Sequence, residues 1–411
     1  MDIVKITIKI IIIILILFFV IYLLYDTAKL FYIKPNSTTE NFVDVPNLDN
    51  KENKSWKIDD KCQYSVVKAY KDVLEKHHIK KSDNDKWSLY IPCTYNEISE
   101  ELVIANKNIK KNNANDIDKR IFVVNNCDEI TAKDSLWKNL LQYYGRNNAI
   151  TMMPTTYILY DNKDIDLFKK EFKKENIYIM KKNIQRQEGL LITQDQDAII
   201  NGYKKNGYVI AQELLQDPYT IKGRKINMRI YLLIVCIDGK IGGYVYNNGF
   251  MYYTKTKFEK GSTSSDSNIT TGYIDRQVYE ENPLTLKDFK TYLDSDRIIS
   301  FHELNVISDN KIISEYVFDN IYNLMRKMIT SLELKICNKV DLKNNVQFQI
   351  FGVDVSLSDK LIPQIMEVNK GPDLGYKDDR DKEVKIGVVE DAFKILKVIN
   401  DDGINGYVSI F

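Results

Sequence analysis

Apolar residues are most concentrated at the start of the chain, where residues 10–24 form an unbroken run between Lys9 and Asp26. With its immediate neighbours, this run approaches the ~17 to 20 residues that cross the hydrocarbon core of a bilayer. We therefore predict a single transmembrane helix within residues 1–25. A cleaved signal peptide is the main alternative, but no small-x-small cleavage site follows the run.

The remainder of the chain alternates between polar stretches and short periodic segments. Residues 26–60 are polar, contain two prolines and show no sustained period, which is typical of a flexible linker. Residues 61–160 mix helical and strand-like runs and predict a smaller N-terminal α/β domain. We predict that residues 161–400 form the main domain and that residues 401–411 form a C-terminal tail.

Within the main domain the pattern predicts short strands, then a long helix, then a hairpin, which together indicate an α+β fold. The strands are rich in Ile, Val and Tyr, and we place them at residues 178–182, 190–193, 208–212, 230–237 and 242–247. Ser314 is predicted to cap the helix, whose core positions recur at helical spacing: Val317, Ile321, Leu324, Met328 and Leu332. The hairpin joins residues 348–357 to 361–368 and turns at residues 358–360.

Composition narrows the classes of function. Lys and Arg (58) almost cancel Asp and Glu (57), so the net charge gives no support for a nucleic-acid partner. The five cysteines include no C-x-x-C pair, which favours reduced, buried thiols over a disulfide framework or a zinc site. Unpaired cysteines in turn favour a cytosolic location for the bulk of the chain.

Three oxygen-bearing side chains are predicted to meet in the hairpin. Asp354 lies near the middle of the first strand, while Glu367 and Asn369 share one face of the second. A turn at residue 359 brings Asp354 opposite the region of Glu367. Two carboxylates and an amide carbonyl are hard oxygen ligands of the kind that magnesium takes beside nucleotide phosphates. A pair of strand ends with solvated acids is the alternative.

Cationic residues upstream are suited to binding phosphate groups. Lys181 ends a strand, and Arg186 follows in a polar loop. Lys225, Asn227 and Arg229 share one face of a later strand, where polar groups are costly to bury without anionic partners. An exposed edge strand that carries lysines against aggregation is the alternative. The intervening strand offers the apolar walls and amide groups that an adenine base requires, at Gln212, Glu213, Leu214 and Leu215.

Taken in order, these segments resemble the tubulin-tyrosine ligase-like family of ATP-grasp enzymes. The family's strand lysine, hinge glutamine, K-F-D-x-R strand, G-x-D strand and L-E-x-N strand are matched by Lys181 and by residues 212–215, 225–229, 352–354 and 366–369. The resemblance implies an ATP-grasp fold for residues 161–400. It also implies that ATP and magnesium, or manganese in its place, activate a carboxylate as an acyl phosphate, which an amine then attacks.

Carried over position by position, the resemblance assigns Lys181 to the α- and β-phosphates and residues 212–215 with Lys225 to adenine. Arg229 would stabilise the transferring phosphoryl group. The magnesium ligands would be Asp354, Glu367 and Asn369.

This chain departs from the family pattern mainly at positions on the side of the site where the acceptor and the acyl phosphate would bind. Asn227 stands where the family has an aspartate that contacts ribose. Tyr252 stands where the family has an arginine, and Lys255 is the nearest cation that could replace it. Arg186 matches a loop arginine but lacks the glycine beside it, and the family's H-L-T-N segment is only partly matched, by residues 268–271.

These patterns predict a membrane-anchored ligase that uses ATP, an amino acid and a protein or peptide acceptor, with a tubulin-like tail as one candidate. No clear run of cations marks a site for an acidic tail. Two alternatives stay open. One is a membrane-tethered scaffold that binds ATP without forming amides, and the other is an ATP-grasp ligase that acts on a small molecule.

Overall fold

Two β-sheets organise the part of the chain that the computed structural model describes, which is residues 43–48, 54–58, 67–83, 87–91, 119–184, 189–295, 312–337 and 346–411. In chain order, the strands are β1 (Ser55–Lys57), β2 (Lys80–Lys81), β3 (Leu89–Tyr90), β4 (Arg120–Phe122), β5 (Thr156–Ile158), β6 (Tyr178–Lys181), β7 (Leu190–Thr193), β8 (Ile210–Glu213), β9 (Thr220–Ile221), β10 (Arg224–Ile237), β11 (Lys240–Thr254), β12 (Thr270–Thr271), β13 (Val346–Leu357), β14 (Pro363–Asn369) and β15 (Tyr407–Ser409).

Helices lie between and beside these strands. In chain order, they are α1 (Lys68–Lys76), α2 (Asp128–Thr131), α3 (Lys133–Tyr144), α4 (Arg146–Met152), α5 (Asn162–Glu171), α6 (Gln196–Ile200), α7 (Gly202–Asn206), α8 (Ser265–Asn268), α9 (Val278–Glu281), α10 (Leu286–Leu293), α11 (Ile313–Thr330) and α12 (Asp379–Ile395). The combination is a mixed α/β fold, and the described residues from Val43 to Phe411 form one compact unit.

The larger sheet has the strand order β12-β11-β10-β13-β4-β3-β1-β2, with β14 paired to β13, β15 to β11 and β9 to β10. The smaller sheet has the order β5-β8-β6-β7. Strand β4 of the predicted N-terminal domain pairs in parallel with β13 of the predicted main domain, so both regions contribute to one sheet. The division into two domains at residue 160 stays a prediction.

The long β10–β11 and β13–β14 pairs form the centre of the larger sheet. β10 and β13 are largely buried because both are interior strands with a neighbouring strand on each side. Helix α11 lies along this core, and its predicted stripe is buried at Val317, Ile321, Leu324 and Met328. Leu332, the last predicted position, follows the end of the helix and is buried as well. Each such side chain stabilises the fold by about 1.5 to 3 kcal/mol.

Helix α11 differs from the prediction at its first turn. It begins at Ile313, so Ser314 lies inside the helix and does not cap it. The Ser314 hydroxyl instead donates to Asp294, at 2.6 Å. Ile312 occupies the cap position in an extended conformation and makes no side-chain cap hydrogen bond.

Part of the predicted linker is folded, so for residues 43–48 and 54–58 the prediction of a flexible segment is wrong. Strand β1 pairs with β2 and β3, and the side chains of Val45, Trp56 and Ile58 are buried in the main core. The sparse apolar residues of this stretch supply enough buried area to hold it against the sheet, although the surrounding sequence is polar.

The prediction that all cysteines are reduced is also wrong. Cys236, near the end of β10, forms a disulfide with Cys337, which follows α11. Cys127 is buried and free, and burial raises the pKa of its thiol to about 12. The argument for a cytosolic location from unpaired cysteines therefore no longer holds.

The predicted transmembrane helix in residues 1–25 lies outside the described residues. In the described part of the chain, no helix is both long enough and apolar enough to cross a bilayer.

Candidate active site

A cavity of about 620 Å³ is lined by residues of both sheets. Strands β6 and β8 of the smaller sheet form one wall, and β10, β11, β13 and β14 of the larger sheet form the other. The predicted site residues that line it are Lys181, Gln212, Glu213, Leu214, Leu215, Lys225, Asn227, Arg229, Asp354, Glu367 and Asn369. Residues that are far apart in the sequence therefore converge on one space of a size typical of small-molecule sites.

The inner wall of the cavity is apolar. Ile179 and Leu190 line it from β6 and β7, and Leu214 and Leu215 follow β8. Met366 faces them from β14. A flat aromatic base could be sandwiched between such walls, while the neighbouring backbone groups provide hydrogen bonds to its edge.

Lys181 is buried at the end of β6, where its ammonium group donates to the Gln212 side-chain oxygen at 2.7 Å and to the Met366 carbonyl at 3.2 Å. Burial lowers the pKa of Lys181 to about 8, although the nearby Glu367 raises it. Gln212 is fixed in turn, because its amide group donates to the Thr156 hydroxyl at 2.9 Å. The lysine is thus held rigidly and points a desolvated charge into the cavity.

Lys225 and Asn227 lie two residues apart on the cavity face of β10, as the period of two predicts. Only 4% of Lys225 is exposed, and burial together with Lys181 lowers its pKa to about 8. No carboxylate of the described residues lies within ion-pair distance of Lys225. The Asn227 side-chain oxygen is buried and has no hydrogen-bond partner among those residues. A buried cation and an unsatisfied acceptor suit an anionic ligand that also carries hydroxyl groups.

The predicted hairpin is confirmed, and its register brings the acids together. Asp354 of β13 pairs directly with Glu367 of β14, and a bulge follows at Val355. Arg229 lies opposite Asp354 on β10 and makes two bonds to its carboxylate, at 2.7 and 3.1 Å. The arginine passes over Gly352, where a Cβ would come within 3.1 Å of its Cδ atom. The glycine of the G-x-D strand therefore makes room for the arginine.

Lys133 is a site residue that sequence reasoning missed. It is the first residue of α3, is buried, and forms an ion pair with Glu367 at 3.1 Å. Its ammonium group also donates to the Ile184 carbonyl, and its backbone N–H donates to the Asn183 side chain. Nothing in the local pattern distinguishes Lys133 from other helix-start lysines, because its partner lies on a distant strand.

The carboxylates of Asp354 and Glu367 and the amide of Asn369 are oxygen ligands of the kind that bind a divalent cation. Burial raises the pKa of Asp354, and the negative charge of Glu367 raises it further, against the effect of Arg229. A magnesium ion would relieve this repulsion between two carboxylates, and Asn369 adds a third hard oxygen. Among the described residues, no group of three or more His, Cys, Asp or Glu could hold a metal. A cation here would therefore depend on the amide and on ligand phosphates as well as on the acids.

Tyr252 forms part of the cavity wall beside the arginine. It pairs with Asn227 across β10 and β11, and its ring centroid lies 5.2 Å from the guanidinium carbon of Arg229. Burial raises the pKa of its hydroxyl group. The position that carries a cation in the resembling family thus holds a neutral aromatic ring in this chain.

The structure does not place Lys255 in the cavity lining, and its catalytic role stays a prediction. Tyr252 faces the cavity, and Lys255 comes three positions later, just after β11 ends. The alternation of a strand points such a residue to the opposite side. Its side chain is 58% exposed and lies 3.6 Å from Asp266. The predicted loop residue Arg186 lies outside the described residues.

The cavity also has an outer end that sequence reasoning did not anticipate. We call five charged residues that line this end the outer cluster: Arg276, Asp373, Lys377, Asp381 and Lys385. A signal for two of them was present in the sequence. Asp381 and Lys385 fall on the apolar stripe of α12 with Val384, Val388 and Val389, and all five are buried. Charged residues at core positions of a helix indicate a polar site.

Comparison with known proteins shows the family of the chain. The family model described as the tubulin-tyrosine ligase family matches residues 107–404. A human tubulin polyglutamylase, TTLL6, is 25% identical over 364 residues, which cover 83% of this chain and 37% of that protein. Tubulin polyglutamylase TTLL7 of Xenopus tropicalis is 25% identical over 293 residues, covering 67% of this chain and 31% of the relative.

A probable beta-tubulin polyglutamylase of Tetrahymena thermophila is 22% identical over 285 residues, which cover 65% of this chain and 23% of that protein. The chain thus spans between about a quarter and two fifths of the length of these relatives. The matched region of the family model contains every predicted site residue. It also covers well over half of the chain, which therefore belongs to the tubulin-tyrosine ligase family.

Proposed function

We propose that this protein is an ATP- and magnesium-dependent carboxylate-amine ligase that adds an amino acid to a protein or peptide acceptor. One observation carries the proposal. A single cavity places two buried lysines, Lys181 and Lys225, near a pair of acids, Asp354 and Glu367, with Arg229 beside them. This arrangement suits a nucleotide whose phosphates point towards a magnesium ion.

The residues that line the cavity would have the following roles. Lys181 and Lys225 would bind the anionic nucleotide, and Asn227 would accept a hydrogen bond from a ribose hydroxyl. Asp354 and Glu367, together with the Asn369 amide oxygen, would hold magnesium, which neutralises phosphate charge when bound. Arg229 would stabilise the phosphoryl group as it passes to the substrate carboxylate, because its charge is already fixed in place.

The proposed reaction has two steps, a phosphoryl transfer followed by an acyl transfer. The substrate carboxylate attacks the terminal phosphorus of ATP, and ADP leaves with the electron pair of the broken bond. An amine then attacks the acyl carbon, phosphate leaves, and the nitrogen releases its extra protons. The names of the relatives make glutamate the first amino acid to test and the tubulin tail the first acceptor.

The test is the mass of the acceptor. The full chain is incubated with ATP, magnesium, tubulin and each amino acid in turn, and the tubulin is analysed by intact-mass spectrometry while ADP is assayed in parallel. We expect mass increments equal to the added amino acid less water, with an equal amount of ADP. A chain that binds no nucleotide and releases no ADP with magnesium present would refute the proposal.

A scaffold that binds ATP without forming an amide is the second candidate. It is favoured by Tyr252, a neutral ring beside Arg229, and by the absence of Lys255 from the described cavity lining. Tight nucleotide binding without ADP release for any acceptor would favour the scaffold. ADP release that requires a small molecule instead of a protein would favour a small-molecule ligase.

We further propose that residues 1–25 anchor the protein in a membrane and that the ligase faces the cytosol, where ATP is available. Retention in the membrane pellet after carbonate extraction, compared with a variant that lacks residues 1–25, tests the anchor.

A further inference from the structure

The start of helix α3 is bonded to two strand ends of the smaller sheet. Strands β5 and β6 both pair antiparallel with β8, so they run in the same direction and end at the same edge of that sheet. Tyr160 follows the end of β5 by two positions, and Asn183 follows the end of β6 by two positions. Both side chains donate hydrogen bonds to Asp134, in the first turn of α3. One carboxylate therefore joins the ends of two strands to a helix.

Each oxygen of the Asp134 carboxylate has its own donor. The Asn183 amide donates to one oxygen at 2.7 Å, and the Tyr160 hydroxyl donates to the other. Lys138, one turn further along α3, donates to the Tyr160 oxygen at 2.6 Å, which directs the proton of that hydroxyl to Asp134. Only 8% of Asp134 is exposed. Burial raises the pKa of Asp134, but the hydrogen bonds from Tyr160 and Asn183 outweigh burial and lower it, so the group is ionised at neutral pH.

Asn183 also bonds to the residue before Asp134. Its side-chain oxygen accepts a hydrogen bond from the Lys133 backbone N–H at 3.1 Å. The Lys133 ammonium group in turn lies 3.1 Å from the carboxylate of Glu367, on the hairpin of the larger sheet. The first two residues of α3 therefore contact both sheets, since Asp134 reaches the smaller sheet and Lys133 reaches the larger one.

This connection joins the two walls of the cavity close to residues that the proposed reaction uses. Lys181, the last residue of β6, lies two positions before Asn183 and lines the cavity. Glu367 lines the opposite wall. Asp134, Tyr160 and Asn183 are not part of the cavity lining. They can therefore affect a bound nucleotide only through the residues that they hold in place.

We propose that Asp134 is a positioning residue for nucleotide binding, which fixes the distance between Lys181 on one wall and Glu367 on the other. A phosphate group bound by Lys181 and a metal ion bound by Glu367 have to meet at a set distance, and a misplacement of about 1 Å in such a site can lower a rate by a factor of ~100. Asp134 fixes this distance because it fastens the end of β6 to the helix that begins with Lys133. The inference rests on the proposed function, because it concerns the same nucleotide and magnesium site.

Positioning and a purely structural role predict different effects on nucleotide affinity. A buried carboxylate with two donors also stabilises the fold, so a loss of stability in a variant fits both roles. A positioning effect acts through Lys181 and should disappear when the Lys181 side chain is removed. A purely structural effect should be the same whether or not Lys181 is present.

Tyr160→Phe is the mildest test. It removes one of the two donors to Asp134 at a position that is 39% exposed, so the chain should still fold. Calorimetry with magnesium and a non-hydrolysable ATP analogue should show a roughly 5- to 10-fold loss of affinity. The matched control is Tyr203→Phe. The Tyr203 ring lies 5.4 Å from that of Tyr160 and is 43% exposed, and its hydroxyl bonds to none of the described residues, so its variant should bind the analogue like the unchanged chain.

A double-mutant cycle measures the coupling between Asp134 and Lys181. Asp134→Asn keeps the size of the side chain but places a donor where one of the two acceptor oxygens was, and it should lower affinity for the analogue roughly 10- to 100-fold. In a chain that already carries Lys181→Met, the same substitution should lower affinity by no more than about 2-fold. The control cycle uses Lys225→Met, on the larger sheet, where the two losses should add in full.

The failures are distinguishable. If the unchanged chain binds no ATP analogue, the proposed function is refuted and this inference with it. If the chain binds the analogue but Tyr160→Phe and Tyr203→Phe bind it equally well, or if the losses from Asp134→Asn and Lys181→Met add in full, the positioning role alone is refuted. Tyr160→Phe decides the question even if Asp134→Asn does not fold.

Discussion

Asp354 and Glu367 face each other across a hairpin, and a different cation neutralises each of them. Arg229 reaches Asp354 from β10 at 2.7 Å, and Lys133 reaches Glu367 from α3 at 3.1 Å. Four elements therefore depend on charges that the proposed reaction also uses. Substitutions in this group should affect both stability and catalysis, and the two effects can be measured separately.

Asp354→Asn should reduce magnesium-dependent ADP release by about 100-fold or more, because a ligand to the metal and the anchor of Arg229 are both lost. It should also lower the free energy of unfolding by about 3 to 5 kcal/mol, since Arg229 is left without its counter-charge. Turnover and urea denaturation measure the two effects. Asp266→Asn removes an exposed carboxylate outside the cavity lining and should change neither. Equal turnover in both variants would show that Asp354 has no role in the reaction.

Lys225→Met should weaken nucleotide binding without weakening the fold. The buried ammonium group of Lys225 has no carboxylate partner among the described residues, so its removal relieves a desolvation cost and keeps most of the apolar contacts. We expect an unchanged or raised melting temperature and a roughly 10- to 100-fold loss of affinity for an ATP analogue. Lys240→Met, at an exposed position, is the control. A destabilised variant with normal affinity would indicate a structural role for Lys225.

The buried lysines should make stability and nucleotide affinity respond to pH in opposite directions. Burial lowers the pKa of Lys181 from 10.5 to about 8 in the folded chain, so between these values the unfolded chain binds more protons. Stability without nucleotide should therefore rise as the pH passes from about 8 towards 10.5. Affinity for the anionic nucleotide should fall over the same range, because the ammonium group loses its proton.

Urea denaturation and nucleotide titrations at several pH values measure these two responses. Lys181→Met should show a weaker rise in stability and a weaker fall in affinity, and Lys240→Met should behave like the unchanged chain. A nucleotide affinity that stays constant across this range would argue against a contact between Lys181 and phosphate.

Local periodicity was sufficient to predict much of the site. Alternation with a period of two placed Lys225, Asn227 and Arg229 on one face, and the position of the turn placed Asp354 opposite Glu367. These relationships involve neighbouring strands or a single strand, where spacing in the sequence fixes spacing in the structure.

Contacts between distant elements could not be predicted in the same way. Lys133, the first residue of α3, reaches Glu367 on β14, and Cys236 near the end of β10 meets Cys337, which follows α11. Neither contact has a local pattern. Lys255 shows the converse case: it is close to Tyr252 in the sequence, yet it lies outside the cavity lining.

The disulfide between Cys236 and Cys337 should contribute about 2 to 5 kcal/mol to the free energy of unfolding, because it closes a loop between residues 101 positions apart. We expect Cys236→Ala and Cys337→Ala each to lower stability, and a reductant to lower the stability of the unchanged chain but not of either variant. Cys127→Ala, at a buried free thiol, should leave the effect of the reductant intact. Peptide mapping without reductant should recover the two cysteines in one cross-linked species. Recovery of both as free thiols, with stability indifferent to reductant, would show that the pair is not bonded in solution.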